Sequence, residues 1–202
     1  MNLHAETVND SMLRALHGIM RDETLTEFHL GGGTSLALRL GHRRSIDIDL
    51  FTLQAFEVME MASRMGEFHG LREVETATNT VRGVIDGVRI DCLAHRYPLI
   101  GEVVTVGEIR FLSFEDLAAM KLNAIVNRGS KKDFWDLAIL LERFSPEDLF
   151  DLYAKKYQRD NLWMVEKSIL YFDEAEGQPD PEDLGGRSWQ QIKSFLRTTI
   201  RL

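Results

Sequence analysis

The spacing of apolar residues divides the chain into two regions. Before residue 111, helical and alternating patterns follow one another, whereas the later segments repeat their apolar positions at helical intervals. The first region is predicted to form helices over residues 6–22, 34–40 and 56–68, and strands over 27–31, 46–50, 71–77, 80–85, 88–94 and 103–106. The second is predicted to form helices over 114–128, 131–143, 146–157, 161–174 and 188–200, with a loop over 177–186. We therefore expect an α/β (α+β) domain over residues 1–111 and an all-helical domain over 112–202.

One strand of the first region carries two carboxylates on a single face. Ile46, Ile48 and Leu50 alternate with Asp47 and Asp49, so the apolar side chains face inward and both acids point to the other side. Such a pair is ordinarily the hydrated face of an amphipathic strand. It also suits a divalent cation such as Mg²⁺, because hard cations bind carboxylate oxygens together with substrate phosphates. The order of the neighbouring motifs favours a metal site.

A glycine-rich segment precedes this strand. Gly31, Gly32 and Gly33 are followed by Thr34 and Ser35, between a predicted strand and a predicted helix. The segment can be a simple turn in which Thr34 caps the helix. It can also be a phosphate cradle, because glycines let backbone N–H groups approach oxygen atoms and a helix N-terminus favours negative charge. It matches neither the P-loop motif nor the G-x-G-x-x-G motif.

A third carboxylate, Asp91, interrupts an otherwise regular strand pattern. It can be an edge residue that pairs with Arg89. If its strand lies beside residues 46–50, however, it joins Asp47 and Asp49. Two carboxylates could then hold metal ions, and the third could deprotonate or orient an attacking hydroxyl. That arrangement is typical of two-metal, in-line phosphoryl chemistry.

Charged residues also occupy the two helices that begin the second region. Lys121 lies within an apolar helical stripe, where an ammonium group costs free energy unless it meets an anion or reaches water. Arg128 lies seven residues further along the same face, and Asp133 and Asp136 share a face of the next helix. These residues can form a salt-bridge network between the helices. Alternatively, Lys121 can bind a triphosphate while Asp133 holds it in place, and the two roles are compatible.

The composition limits the partners and the location. The chain has 202 residues, of which 44% are hydrophobic and 28% charged, and its net charge is −8. A protein that binds nucleic acid through a generally basic surface would not be acidic, so any such site must be local. No apolar run approaches the ~18 residues of a membrane span, and the first residues lack a secretory-signal pattern. A single cysteine, Cys92, excludes an intramolecular disulfide and fits a cytoplasmic location. The dense basic groups are Arg39, His42, Arg43 and Arg44, and Arg128, Lys131 and Lys132.

Together these motifs resemble the AbiEii/AbiGii toxin family of nucleotidyltransferases, within the DNA polymerase β superfamily. The resemblance covers about residues 25–142. It implies a nucleotidyltransferase-like mixed β-sheet with flanking helices, followed by a helical C-terminal part. The motifs that carry it are G-G-T-S-L-A-L from Gly32, G-H-R from Gly41, S-I-D-I-D-L-F from Ser45, K-L-N-A from Lys121 and K-D-x-x-D-L from Lys132.

The resemblance also implies a site and a set of partners. In this family Ser35 would touch the phosphates of a nucleoside triphosphate (NTP), Asp47 and Asp49 would bind Mg²⁺, and Lys121 and Asp133 would complete the site. The partners would be the NTP, a cognate antitoxin and, in some relatives, tRNA as the acceptor of the nucleotide. The membrane is not an expected partner.

We therefore expect a cytoplasmic nucleotidyltransferase that uses two Mg²⁺ ions and acts as the toxin of a toxin–antitoxin or phage-defence pair. One alternative acceptor is a small cationic molecule such as an aminoglycoside, which the negative net charge favours. Another alternative is a protein that binds NTP without catalysis, which the intact carboxylates disfavour. The expected catalytic residues are Asp47, Asp49, Asp91, Lys121 and Asp133, and the first three are also the expected metal ligands. The expected nucleotide-binding residues are Gly32, Gly33, Thr34, Ser35 and Lys121, and the expected acceptor-binding residues are Arg43, Arg44, Arg128 and Lys132.

Overall fold

The computed structural model describes residues 2–200. Within that range the chain forms nine α-helices and seven β-strands. The helices are α1 Asp10–Arg21, α2 Gly32–Leu40, α3 Val58–His69, α4 Phe114–Arg128, α5 Lys131–Leu140, α6 Pro146–Tyr157, α7 Trp163–Ser168, α8 Asp173–Glu176 and α9 Trp189–Thr199. The strands are β1 His29–Leu30, β2 Asp47–Thr52, β3 Arg72–Ala77, β4 Thr80–Ile85, β5 Val88–Ala94, β6 Val104–Val106 and β7 Ile109–Phe111.

The strands form one mixed sheet in the order β3-β4-β5-β2-β1-β7-β6. The central strand, β2, pairs in parallel with β5 and antiparallel with β1. The hairpin between β4 and β5 turns at Asp86 and Gly87, whose φ angles of 49° and 79° suit an Asp-Gly pair. The expected mixed sheet with flanking helices, followed by helices alone, is therefore confirmed.

The two faces of β2 meet different surroundings. Ile48 and Leu50 are fully buried and pack in one hydrophobic core with Leu16 of α1 and Met65 of α3. The opposite face of β2 is turned toward α4 and α5. This division explains the alternating sequence of the strand, because only one face of β2 is needed for the first core.

A second hydrophobic core lies among the helices after β7. It contains Leu122 of α4, Phe134 of α5, Trp189 of α9 and also Leu36 of α2. Because Leu36 of α2 belongs to this second core, the two predicted domains share core residues. The domain boundary between residues 111 and 112 stays a prediction. No helix in the described range is long and apolar enough to span a membrane.

Three differences from the sequence-based expectations have local causes. The first helix begins at Asp10 rather than residue 6, because Asn9 accepts a hydrogen bond from Met12 N and caps it. The helix expected over 161–174 is broken into α7 and α8, and the break lets Phe172 pack edge-on against Phe134 and Trp189. The three-residue strand β7 was not expected from the apolar pattern, because a strand that short shows no clear alternation.

Candidate active site

The acids of β2 and β5 form a row on one face of the sheet. β2 lies parallel to β5, and Asp49 is paired in register with Asp91. Asp47 precedes Asp49 on the same face of β2, opposite the buried Ile48 and Leu50. We call Asp47, Asp49 and Asp91 the carboxylate row. The structure thus places the strand of Asp91 beside residues 46–50, which was the condition for its joining the other two acids.

Cations hold the two ends of the carboxylate row. Lys132 Nζ lies 3.0 Å from Asp47 Oδ2, and Arg82 Nε and Arg89 Nε each lie 3.2 Å from Asp91. Although burial favours the protonated acid, the Lys132 ammonium lowers the pKa of Asp47. Asp91 therefore makes the pairing with Arg89 that its simpler interpretation predicts, and it also lies beside Asp49.

The middle of the row has a different electrostatic environment. Within residues 2–200, no cation lies in ion-pair contact with the Asp49 carboxylate. Burial, and then the negative charges of Asp47 and Asp91, raise the pKa of Asp49 to about 6. Carboxylates this close together disfavour one another's ionisation unless a cation joins them. The row therefore has the charge that a cation site needs.

The donor atoms of the row fit Mg²⁺. This ion is usually held by one or two carboxylates together with waters and substrate phosphates, and Asp47 and Asp49 supply two carboxylates side by side. Within residues 2–200, no three acidic, histidine or cysteine side chains already converge as a ligand group. Binding would require Asp47 to exchange Lys132 for the ion, which is a side-chain change and not a new fold.

The glycine turn brings a helix N-terminus against the row. Gly32 opens α2 with a φ of 60°, in the left-handed region, and a Cβ atom there would collide with the Asp49 carboxylate. A Cβ atom at Gly33 would collide with the Arg43 guanidinium. Gly31 is the N-cap residue and has no side chain with which to cap the helix. The first N–H groups of α2 are therefore positioned for an anion next to Asp49.

The two hydroxyls after the glycines are turned into the protein. Thr34 Oγ1 donates to the main-chain oxygen of Asp47 and lies 2.8 Å from Ser45 Oγ, and Thr34 is not the N-cap residue. Ser35 Oγ accepts a hydrogen bond from Arg39 Nη2 at 3.0 Å. Both hydroxyl residues are buried. The nucleotide-binding roles expected of Thr34 and Ser35 stay predictions, and both hydroxyls already have hydrogen-bond partners inside the protein.

Behind the row, Lys121 belongs to a buried ionic network. Its Nζ lies 2.9 Å from Asp133 Oδ1 and 2.7 Å from Asp136 Oδ2. Asp136 also accepts two hydrogen bonds from Arg43, at 2.7 and 2.8 Å, and Asp133 accepts two from Arg128, at 2.9 and 3.0 Å. We call these five residues the Lys121 network. The predicted salt-bridge network between the helices is present, and Asp133 does hold Lys121.

The network keeps its acids ionised. Although burial opposes ionisation, the Lys121 and Arg128 charges lower the pKa of Asp133 to about 2. Burial likewise opposes ionisation of Asp136, and Arg43 and Lys121 hold its pKa well below the ordinary value. In return the two acids raise the pKa of Lys121 against the effect of burial. Lys121 is therefore a fixed positive charge behind the carboxylate row.

The four expected acceptor-binding residues have separate environments. Arg43 is only 3% exposed and is bound to Asp136, so the structure does not offer it to an acceptor. Arg44 pairs with Glu182 at 3.0 Å and is about half exposed. Lys132 and Arg128 are bound to Asp47 and Asp133, yet both remain partly exposed. Arg44, Lys132 and Arg128 can therefore meet a ligand, whereas Arg43 is a structural part of the Lys121 network. 

The loop predicted over residues 177–186, to which the sequence assigned no role, lies beside the site. Residues 178–184 cross to the basic segment after α2, where Arg43 forms a β-bridge with Asp183. Arg44 N donates to Glu182 O at 2.8 Å, and Trp135 Nε1 donates to Asp183 at 2.9 Å. The only signal in the sequence was the opposite charge of the two segments, which does not specify their pairing.

Two cavities open beside the carboxylate row. The larger, of about 500 Å³, is bounded by Asp47, Lys132 and loop residues 178–182. The smaller, of about 280 Å³, lies between the sheet and α4 and reaches Asp49 and Asp91; we call it the α4 cavity. No described residue lines both cavities. Asp47 therefore borders one cavity, and Asp49 and Asp91 border the other.

Comparison with known sequences gives an extended match. A family model described as Nucleotidyl transferase AbiEii toxin, Type IV TA system, matches residues 14–99 and 95–200. These segments include the carboxylate row, the glycine turn, the Lys121 network and the C-terminal helices. An uncharacterized protein of Aquifex aeolicus (strain VF5), aq_aa25, is 29% identical in a 193-residue alignment that covers 93% of each chain.

Solved structures share the fold. MenT4, a nucleotidyltransferase toxin from Mycobacterium tuberculosis H37Rv, has a TM-score of 0.57 and 17% identity, and the match covers 95% of this chain and 83% of that one. The antibiotic-resistance factor ANT(2'')-Ia has a TM-score of 0.54 and 21% identity, over 73% and 92% of the two chains. JHP933 from Helicobacter pylori has a TM-score of 0.54 and 16% identity, over 93% and 86%.

Proposed function

The chain belongs to the AbiEii family of nucleotidyltransferase toxins and is a nucleotidyl-transferring enzyme, and from this premise we propose that it moves a nucleoside monophosphate from an NTP to a hydroxyl of tRNA. The reaction depends on Mg²⁺ and takes place in the cytoplasm. The protein acts as the toxin of a toxin–antitoxin or phage-defence pair and is restrained by a cognate antitoxin. The observation that carries the proposal is the carboxylate row beside the N-terminus of α2.

Asp47 and Asp49 are the proposed ligands of Mg²⁺, and Asp91 is the third proposed ligand, next to Asp49 in the sheet. When bound, two ions would neutralise the phosphate oxygens and stabilise both the attacking and the leaving oxygen. Lys132 keeps Asp47 ionised until then, since the ammonium and the carboxylate form an ion pair. Asp91, once released by Arg82 and Arg89, is placed to orient or deprotonate the acceptor hydroxyl.

The phosphates are proposed to lie at the start of α2. The N–H groups of Gly32 and Gly33 and the positive end of the helix dipole favour them there. Thr34 contributes its main-chain N–H group, and Ser35 fixes the start of α2, since its N–H donates to Gly31 O at 3.2 Å and its Oγ accepts from Arg39. Lys121, held by Asp133, supplies a fixed positive charge toward the charge that develops on the leaving pyrophosphate.

The acceptor contacts are proposed for the exposed basic residues of the site. Arg44, Lys132 and Arg128 remain partly open to solvent, so an RNA backbone can reach them in spite of the acidic net charge. A second proposed acceptor class is a cationic molecule such as an aminoglycoside, because the net charge of −8 attracts cations.

The test incubates the purified protein with Mg²⁺, each α-phosphate-labelled NTP in turn, and either bulk tRNA or an aminoglycoside. Asp49→Asn is the catalytic variant, and Asp173→Asn, an exposed acid of α8, is the matched control. Label in tRNA with the wild type and the control, but not with Asp49→Asn, supports the proposal. Label only in the aminoglycoside replaces the acceptor. Equal transfer by Asp49→Asn overturns the proposed chemistry.

A further inference from the structure

We propose that the α4 cavity is a nucleobase site in which Asn123 and Asn127 read the edge of the base. The inference rests on the proposed function and assigns a role to residues that the proposed chemistry does not use. The cavity reaches Asp49 and Asp91 at one end and extends away from them along α4. A nucleoside whose reacting group lies at the carboxylate row would therefore place its base in this space.

The walls of the cavity suit a flat apolar ring. Leu93 of β5 lies on the sheet side, and Leu117, Met120 and Ala124 line the side formed by α4. Ala124 has a short side chain, which leaves width between the helix and the sheet. Apolar contact on both faces is how a nucleobase is held when no other base stacks on it.

Aromatic residues also line the cavity. They are Phe51, His95 and Tyr157, with the His95 ring centroid 6.0 Å from that of Phe51 and 5.8 Å from that of Tyr157, both edge-on. Burial lowers the pKa of His95 to about 4, so its ring is neutral at pH 7. An uncharged aromatic surface favours stacking with a base over binding of a phosphate.

The polar rim of the cavity carries two amides from the same helix. Asn123 and Asn127 are four residues apart on α4 and both line the cavity. Asn127 Nδ2 donates to the main-chain oxygen of Asn123 at 2.7 Å, which fixes that side chain and leaves its Oδ1 as an acceptor. An amide offers a donor and an acceptor side by side, which matches the edge of a base.

The volume agrees with this ligand. At about 280 Å³ the α4 cavity is at the small end of ligand pockets, which begin near ~300 Å³, and it fits a base with its sugar better than a whole NTP. Gly32 and Lys121 also line the cavity, so the triphosphate would lie where the cavity meets the start of α2. The base can come from the NTP or from the terminal nucleotide of an RNA acceptor, since both carry the same chemistry.

The experiment measures binding and not turnover, so that it gives a result even if no transfer occurs. The probes are the four NTPs with Mg²⁺, and short RNA oligonucleotides that end in A, C, G or U. The proteins are the wild type, Asn123→Ala/Asn127→Ala, and Ala124→Phe, which would fill the slot. Gln190→Ala, an exposed amide of α9, is the matched control. Circular dichroism and thermal melting confirm that each variant is folded.

The wild type should prefer one base, and the double asparagine variant should lose about tenfold of that preference, whereas Gln190→Ala keeps it. Ala124→Phe should weaken binding of every base. Loss of preference among the NTPs assigns the base to the donor, and loss of preference among the RNA ends assigns it to the acceptor. If the wild type shows no preference, or if the variants keep it in both sets of probes, the nucleobase site is wrong, whatever the transfer assay shows.

Discussion

Two groups of acids lie close together in this protein and differ in how many cations pair with them. In the Lys121 network, Asp133 and Asp136 are fully buried and are surrounded by Lys121, Arg43 and Arg128. In the carboxylate row, three acids share cations only at the ends, and the pKa of Asp49 is raised to about 6. A buried acid with a full set of partners holds the structure together, whereas an acid that lacks one is ready to receive a metal ion or a proton.

The largest expected effect concerns the Lys121 network. Asp136→Asn should lower the free energy of unfolding by about 3–5 kcal/mol, because it leaves Arg43 and Lys121 buried without their shared counter-ion. Chemical denaturation measures the change, with Asp173→Asn as the control that should have almost no effect. A loss below ~1 kcal/mol would mean that the two groups of acids do not differ as described.

Removing Asp49, the central acid of the row, should lower the activity strongly and leave the stability almost unchanged. Asp49→Asn should lower nucleotidyl transfer on the order of 10²–10³-fold or more, because it removes the proposed Mg²⁺ ligand. Its melting temperature should be unchanged or higher, since the substitution removes a negative charge between Asp47 and Asp91. Loss of folding in Asp49→Asn would show that this acid is structural.

The alternation of β2 was sufficient to predict two members of the carboxylate row from the sequence, since Asp47 and Asp49 had to share a face whatever the sheet order was. Asp91 joins the other two acids only because β5 lies beside β2 in the sheet. The sequence does not specify that strand order, so the position of Asp91 could be predicted only on the condition that the two strands are neighbours. The helical faces of Lys121 and Asp133 were sufficient to suggest the ion pair between them, and the resemblance added only the expectation that both belong to the site.

Other features could not be predicted because they depend on contacts between distant segments. The direction of the Thr34 hydroxyl follows from the packing of α2 on β2, because it donates to the main-chain oxygen of Asp47. Arg43 was expected at the surface because it stands in a basic cluster, but Asp136 lies 93 residues away in the chain and draws it inside.

Acid should remove the stability that the ionised Asp133 contributes to the Lys121 network. The pKa of Asp133 is about 2 in the folded protein and ordinarily near ~4 in an unfolded chain. Its contribution, about 2 kcal/mol, is therefore complete at neutral pH and is lost as the pH falls from ~4 toward ~2. Melting curves of the wild type and Asp133→Asn between pH 7 and pH 2 should converge at the acid end; a constant difference would contradict this assignment.

The smallest expected effect on stability concerns Lys132, which pairs with Asp47 at one end of the carboxylate row. Lys132→Met should change stability by less than ~1 kcal/mol, because the lysine is partly exposed and its ion pair is solvent-screened. The same variant should bind Mg²⁺ a few-fold more tightly in the absence of NTP, since Asp47 no longer has a competing cation. Isothermal titration measures this, with the exposed Lys167→Met as control, and weaker Mg²⁺ binding by Lys132→Met would show that Lys132 does not compete with the ion.

The most direct test of the difference between the two groups of acids is the effect of Mg²⁺ on the melting temperature. A ligand that binds the folded state raises the melting temperature according to its affinity. Mg²⁺ with a non-hydrolysable NTP should raise the melting temperature of the wild type and of Asp173→Asn, and should leave that of Asp49→Asn unchanged. An equal rise in all three proteins would show that the carboxylate row is not the cation site.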